Sequence, residues 1–313
     1  MAISVARADQ HIAEWRPKLN PFPARRSWAE HIFHACQIEV AVAILRRGEL
    51  VSRKSLNHLI YDVADRGALW NNPSAHDYVR LYFRPRNLFH LKTEGIKSYA
   101  DNHRVDPHMS VPVMLVFNFR SVLSMPDSMF VPGNFAGTNK HPLSGDTSFS
   151  ELDFNQIYDD SGSGNQKQAI QNARMSEVVV RDRLSLDSLS AVVARTIHEE
   201  RYLRHLLGAD AVNYNVVVER HGSIFCKRGM FITEIYTRDG ILHFAFRAPN
   251  TGAKPEYQVS VSSGHQRFEY NLKPQRWHIP AIVNRDPNTV WRIEIEGCAA
   301  YEGTVPATGP VVA

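Results

Sequence analysis

The sequence predicts an α+β fold carrying a small all-β appendage, and three observations support this. Between residues 28 and about 230, short helical patterns and β-branched runs follow one another irregularly; from Phe231 only short alternating strands remain. The length, 313 residues, also exceeds one average domain. The expected division is an N-terminal arm at 1–27, a mixed core at 28–230, and a β-rich region with its tail at 231–313. A hydrophobic content of 43% supplies a real core. The net charge of +4 is too mild to identify a nucleic-acid binder by itself. Cys36, Cys226 and Cys298 are odd in number and far apart, with no Cys-x-x-Cys pair, so neither a disulfide framework nor a zinc knuckle is indicated. No apolar run is long enough for a bilayer, and Met1–Gln10 lacks the apolar centre of a signal peptide. A cytoplasmic protein without a membrane partner is the expectation.

Taken in order, Pro17, Pro21 and Pro23 with Arg25 and Arg26 predict an extended arm. Ile38, Val42 and Leu45 predict a short helix closed by Gly48, and a second short helix is expected over 56–64. Residues 65–77 are loop chemistry, with Arg66 at the entry and Gly67, Asn71, Asn72 and Pro73 as turn formers. Strands are expected at Tyr78–Phe83, ended by Pro85, at Val111–Phe119 and at Met129–Val131. A Gly/Ser/Asp-rich stretch at 137–171 reads as a long irregular loop. Val178-Val179-Val180 predicts a buried strand; Ser185 and Asp187 then suggest caps for a helix through Leu189 and Val193. A helix at Ile197–Leu207 ending at Gly208 and strands at Val216–Val218 and Ile224–Cys226 complete this part. Beyond Phe231, alternating strands and an Asp239-Gly240 hairpin turn suggest a sandwich-like unit with its own core and no catalytic constellation. Its last dozen residues read as a loose tail.

Two stretches carry chemistry. Glu177 stands at the mouth of an apolar strand, where a carboxylate must be paired, bound to a ligand or turned to solvent. Arg80, Arg84 and Arg86 interleave with Tyr78, Tyr82 and Phe83. Cations among stacking rings suit single-stranded nucleic acid or a dinucleotide, and they also suit an amphipathic strand with inward rings and outward arginines. His31 and His34 have no carboxylate or Cys partners at zinc-like spacing, so no metal is expected.

Read together, these segments resemble the DarT family of bacterial ADP-ribosyltransferases. The matching pieces are His31-Ile-Phe-His34 leading to Arg47-Gly48-Glu49-Leu50, then Asp65-Arg66-Gly67 and His76-Asp-Tyr-Val-Arg-Leu-Tyr-Phe83. Arg174-Met-Ser-Glu177-Val-Val and Leu184-Ser-Leu186 follow in the same order. The resemblance covers about residues 28–230, and the stretches at 84–89 and before Glu177 depart from the pattern. It implies an ADP-ribosyltransferase-like core and a toxin that uses NAD as co-substrate, without metal. The toxin would attach ADP-ribose to a base of single-stranded nucleic acid, DNA before RNA, and be restrained by a cognate antitoxin protein. By the same resemblance Glu177 and Arg66 are catalytic, and His34, His76, Tyr78, Tyr82 and Phe83 hold NAD. Arg80, Arg84 and Arg86 are the candidates for nucleic-acid contact. A non-catalytic single-strand-binding module is the competing class, and modification of a protein side chain is a third.

Overall fold

The computed structural model describes residues 2–62, 72–98, 108–137, 141–161, 167–239, 241–249, 252, 255–279 and 288–306. The N-terminal segment is not an extended arm. It forms a helix, α1 (Val5–Leu19), capped by Ser4, whose Oγ accepts from the Arg7 N–H at 3.1 Å. Ala8, His11, Trp15 and Leu19 form its buried stripe, and His11 stacks on Phe119 at 4.7 Å. The prolines misled: Pro17 lies within the last turn and Pro21 and Pro23 beyond the end, so the apolar stripe before them is free to coil.

A seven-stranded sheet forms the centre of the molecule. Its strands are β1 (His31–Gln37), β3 (Tyr78–Tyr82), β4 (Pro112–Asn118), β5 (Ser128–Val131), β6 (Glu177–Arg181), β8 (Leu189–Ala194) and β9 (Val216–Val218). They lie in the order β5-β6-β3-β1-β4-β8-β9, antiparallel except for the β8–β9 pair. A separate ribbon joins β2 (Glu49–Val51) to β7 (Arg183–Ser185). Between β1 and β2 runs α2 (Ile38–Arg47), closed as expected by Gly48 at φ 78°, whose N–H reaches the carbonyls of Ile44 and Leu45. The described part of 56–64 is not helical, and 137–171 contains short helices at Asp146–Ser150, Phe154–Ile157 and Lys167–Ala173. Ser185 caps a single 3-10 turn through the Asp187 N–H at 3.3 Å, and the chain then enters β8 instead of a helix. There Val192 and Val193 are sandwiched between β4 and β9, the central position that suits β-branched residues.

The C-terminal strands form two antiparallel sheets. One holds β10 (Ile232–Arg238), β11 (Ile241–Phe246) and β14 (Arg276–Ile279). The other holds β12 (Tyr257–Ser263), β13 (Gln266–Leu272), β15 (Val290–Ile295) and β16 (Cys298–Thr304). The expected tail thus begins with three residues of β16, and Ile224–Cys226 is not a strand. This region does not have a core of its own. Val259, Val261, Ile293 and Tyr301 belong to the same continuous apolar cluster as Phe33, Leu115 and Leu203. The helix Ile197–Leu207 is the joint: Tyr202 packs against Tyr301 at 6.1 Å, and His198 Nε2 donates to the Thr233 carbonyl at 3.2 Å.

Candidate active site

Strand alternation builds the site. Along β3, Tyr78, Arg80 and Tyr82 border a cleft of about 520 Å³, while Leu81 and Phe83 are fully buried on the other side. Phe83 packs with Phe119, Phe149 and Phe154, so it is a core residue and takes no part in holding a ligand in the cleft. β6 lies between β3 and β5, with Glu177 opposite Tyr82 on one side and Val131 on the other. The cleft continues past His34, Phe89, Asn134 and Met175 to the β2–β7 ribbon, where Arg47, Arg53 and Arg183 border it.

Glu177 is 0% exposed. Of the three readings open to it, pairing is the one realised. Arg80 grips the carboxylate with two prongs, Nε to Oε2 at 2.6 Å and Nη2 to Oε1 at 2.9 Å. The Phe135 N–H donates to Oε1 at 3.0 Å. That N–H is presented by the Pro132-Gly133-Asn134 turn, which is fastened when the Gly133 N–H donates to Ser176 Oγ at 3.1 Å. Burial alone would lower the Arg80 pKa, but the charge of the paired Glu177 carboxylate outweighs it and raises it. Burial, followed by the negative charge of Glu177, raises the Tyr82 phenol, which therefore stays protonated.

His34 stands behind this pair. Its Nδ1–H donates to the Arg80 carbonyl at 2.9 Å. Burial lowers its pKa more than that carbonyl raises it, and the Arg80 charge lowers it further. The imidazole is neutral and its Nε2 is an acceptor. His90, which the sequence reading missed, meets the Tyr82 ring edge-on at 5.3 Å. It is buried, its ring nitrogens have no hydrogen-bond partner among the described residues, and burial pushes its pKa down to about 3. No periodic signal marked it, because it lies in the six-residue helix Leu88–Thr93.

The structure thus brings Glu177, Arg80, Tyr78, Tyr82 and His34 together. His76 sits half-buried in the 3-10 turn Pro73–Asp77 and does not border the cleft. Arg84 is no surface cation: it is 0% exposed and donates to the carbonyls of Pro85, Ile157 and Asp159 and to Asp160 Oδ1. Arg86 is half-buried and bonded to the Gly222 carbonyl at 3.0 Å. Arg66 lies outside the described residues. Among the described residues, no group of three or more His, Cys, Asp or Glu could hold a metal ion. No helix among them is long and apolar enough to cross a membrane.

A mixed core whose cleft backs onto a paired carboxylate at a strand start belongs here to an ADP-ribosyltransferase, the class given by a family profile that matches residues 33–225. That family is described as "ssDNA thymidine ADP-ribosyltransferase, DarT", and the chain belongs to it. No curated protein matches the chain in sequence. Among solved structures, Thermus sp. 2.9 DarT in complex with ADP-ribosylated ssDNA is similar in fold. Its TM-score is 0.51 at 15% identity, over 63% of this chain and 96% of that one. The same Thermus protein in complex with NAD+ gives 0.49 at 16% identity, over 63% and 98%. Thermosipho africanus DarTG in complex with ADP-ribose gives 0.46 at 16%, over 67% and 54%.

Proposed function

We propose that this chain transfers ADP-ribose from NAD to a thymidine base of single-stranded DNA and releases nicotinamide. Membership of the DarT family supports the reaction, and the observation that carries the site is Glu177, held by a guanidinium at the back of the cleft. The residues suit NAD. A cleft of about 520 Å³ is in the usual range for such a ligand, and the arginines along its β2–β7 border match a diphosphate. When the bond between ribose C1′ and nicotinamide breaks, its electron pair stays on the nicotinamide nitrogen and cancels that ring's positive charge. Nicotinamide therefore leaves neutral, with no general acid, and the ribose acquires oxocarbenium character. A Glu177 oxygen accepting from the ribose 2′-OH strengthens its hold as that charge grows, an effect typically worth about 10²–10³ in rate. The base attacks C1′ and its proton passes to solvent. Tyr78 and Tyr82 wall the reacting ring from water. Arg66, by the family resemblance, steadies the base as it loses its proton, since a guanidinium is almost never a base itself. Of the three arginines at 80, 84 and 86, none presents an unengaged guanidinium to DNA, and Arg53 on the cleft border is paired with Asp62; Arg47 on that border is better placed. An enzyme that marks DNA endangers its own cell, so a restraining antitoxin protein is part of this reading.

The test is incubation with NAD labelled in the adenylate phosphate and separate pools of single-stranded DNA, RNA and protein. Label is expected in DNA alone, and Glu177→Gln, checked as folded, is expected to lose at least about 100-fold. Label confined to RNA or protein would overturn the target. Full transfer by folded Glu177→Gln would overturn the site.

A further inference from the structure

The carboxylate at the centre of the proposed reaction is wholly buried, and Arg80, which binds it, borders the cleft and is 22% exposed. A carboxylate offers about four lone-pair directions, two on each oxygen. Among the described residues three are filled: both prongs of Arg80 and the Phe135 N–H. Oε1 takes two of these donors and Oε2 only one, so one direction on Oε2 stays open. A bidentate guanidinium fixes the plane of its carboxylate as well as neutralising it, which a point-charge ammonium does not do. Arg80 is itself steadied: His34 donates to its carbonyl at 2.9 Å and Asn134 Oδ1 accepts from Nη2 at 3.3 Å.

We propose that Arg80 is a positioning residue of the transfer reaction, pinning Glu177 so that the open direction on Oε2 meets the ribose hydroxyl of NAD. This rests on the function proposed above and replaces nucleic-acid contact as the role of Arg80. The geometry also makes its substitution different from the loss of a binding contact. Without the second prong the carboxylate can turn about its own axis, and a misplacement of about 1 Å costs about 10²-fold in rate. NAD affinity, set along the rest of the cleft, is left nearly intact.

Arg80→Gln and Arg80→Lys are compared with wild type and Glu177→Gln, using NAD and a mixed-sequence single-stranded DNA oligonucleotide. Nicotinamide release is read at single turnover and NAD Kd by calorimetry. The expected result for Arg80→Gln is a loss of about 100-fold in the chemical step with Kd within about 3-fold. Arg80→Lys keeps the charge with one prong and is expected to recover part of the rate; if Arg80→Gln does not fold, Arg80→Lys decides alone by a drop of about 10-fold at unchanged Kd. A folded variant that keeps wild-type kcat, exceeds it, or loses NAD affinity in proportion to rate overturns the positioning role. If wild type releases no nicotinamide, the proposed function fails instead.

Discussion

Buried histidines set the acid limit of this molecule. His11 and His90 are both pushed down to about 3, first by burial and then by nearby cations. In the unfolded chain each titrates near 6.5, so between those values the unfolded state binds protons that the folded state refuses. Stability therefore falls as pH drops through about 6.5, by about 1.4 kcal/mol per pH unit for each histidine, and the loss continues towards pH 3. The expected outcome is a melting temperature markedly lower at pH 5 than at pH 7. His90→Leu removes a titrating group without removing a hydrogen bond, because its ring nitrogens have none among the described residues. It should flatten that dependence at little cost at pH 7; the same pH slope as wild type would show that His90 titrates normally in the fold.

The elements around the site are anchored by guanidinium groups that the sequence offered as nucleic-acid contacts. Arg84, at the end of β3, gathers the turn at 157–160 through two carbonyls and Asp160, and lies over the Trp28 ring at 4.5 Å. Removing one partner of such a buried pair typically costs about 3–5 kcal/mol. Arg84→Ala should lower the unfolding free energy by that amount, read as a lower denaturant midpoint with no change in the slope; unchanged stability with weakened DNA binding would restore it to the nucleic-acid surface. Local chemistry made much of this scale readable. Gly48 and Gly208 closed helices where expected, and Val178–Val180 and Val113–Val116 formed strands. Glu177 was legible as a buried acid that needed a partner, but its partner was not, because Arg80 lies 97 residues away and meets it only through the β3–β6 pairing. The expected helix after Ser185 failed for a similar reason: caps are local signals, whereas β8 is fixed by non-local neighbours on both sides. Arg84 on an alternating strand looked like an outward charge until the turn at 157–160 closed over it.

At the scale of the whole molecule, the change of pattern at Phe231 marks a change of architecture within one core. Trp291 is buried there, while Arg276 is paired with Glu234 and Arg267 with Glu269 and Glu294. Inside the junction Arg195 holds Glu94 and Glu199, and Glu94 in turn accepts from the N–H groups of Cys226 and Arg228 at 2.6 and 3.1 Å. Next to it the backbones of Gly95 and Gly229 pass so close that a Cβ on Gly95 would lie 2.1 Å from the Arg228 carbonyl oxygen. Cutting the chain after residue 230 would leave this crossing in place but strip Ile232, Ile235 and Tyr301 from the shared cluster. Tyr202, Leu203 and Leu207 on the helix behind β8 would then lose apolar neighbours, and uncovering large side chains costs about 1.5–3 kcal/mol each. That exceeds what a domain of ordinary stability tolerates after a few such losses. The fragment 1–230 is therefore expected to be insoluble or to melt without cooperativity, as read by circular dichroism and hydrogen exchange over 197–207. A soluble, cooperatively folded and active fragment would refute the shared core and make the C-terminal sheets a separable module, with a partner or target to be sought on them.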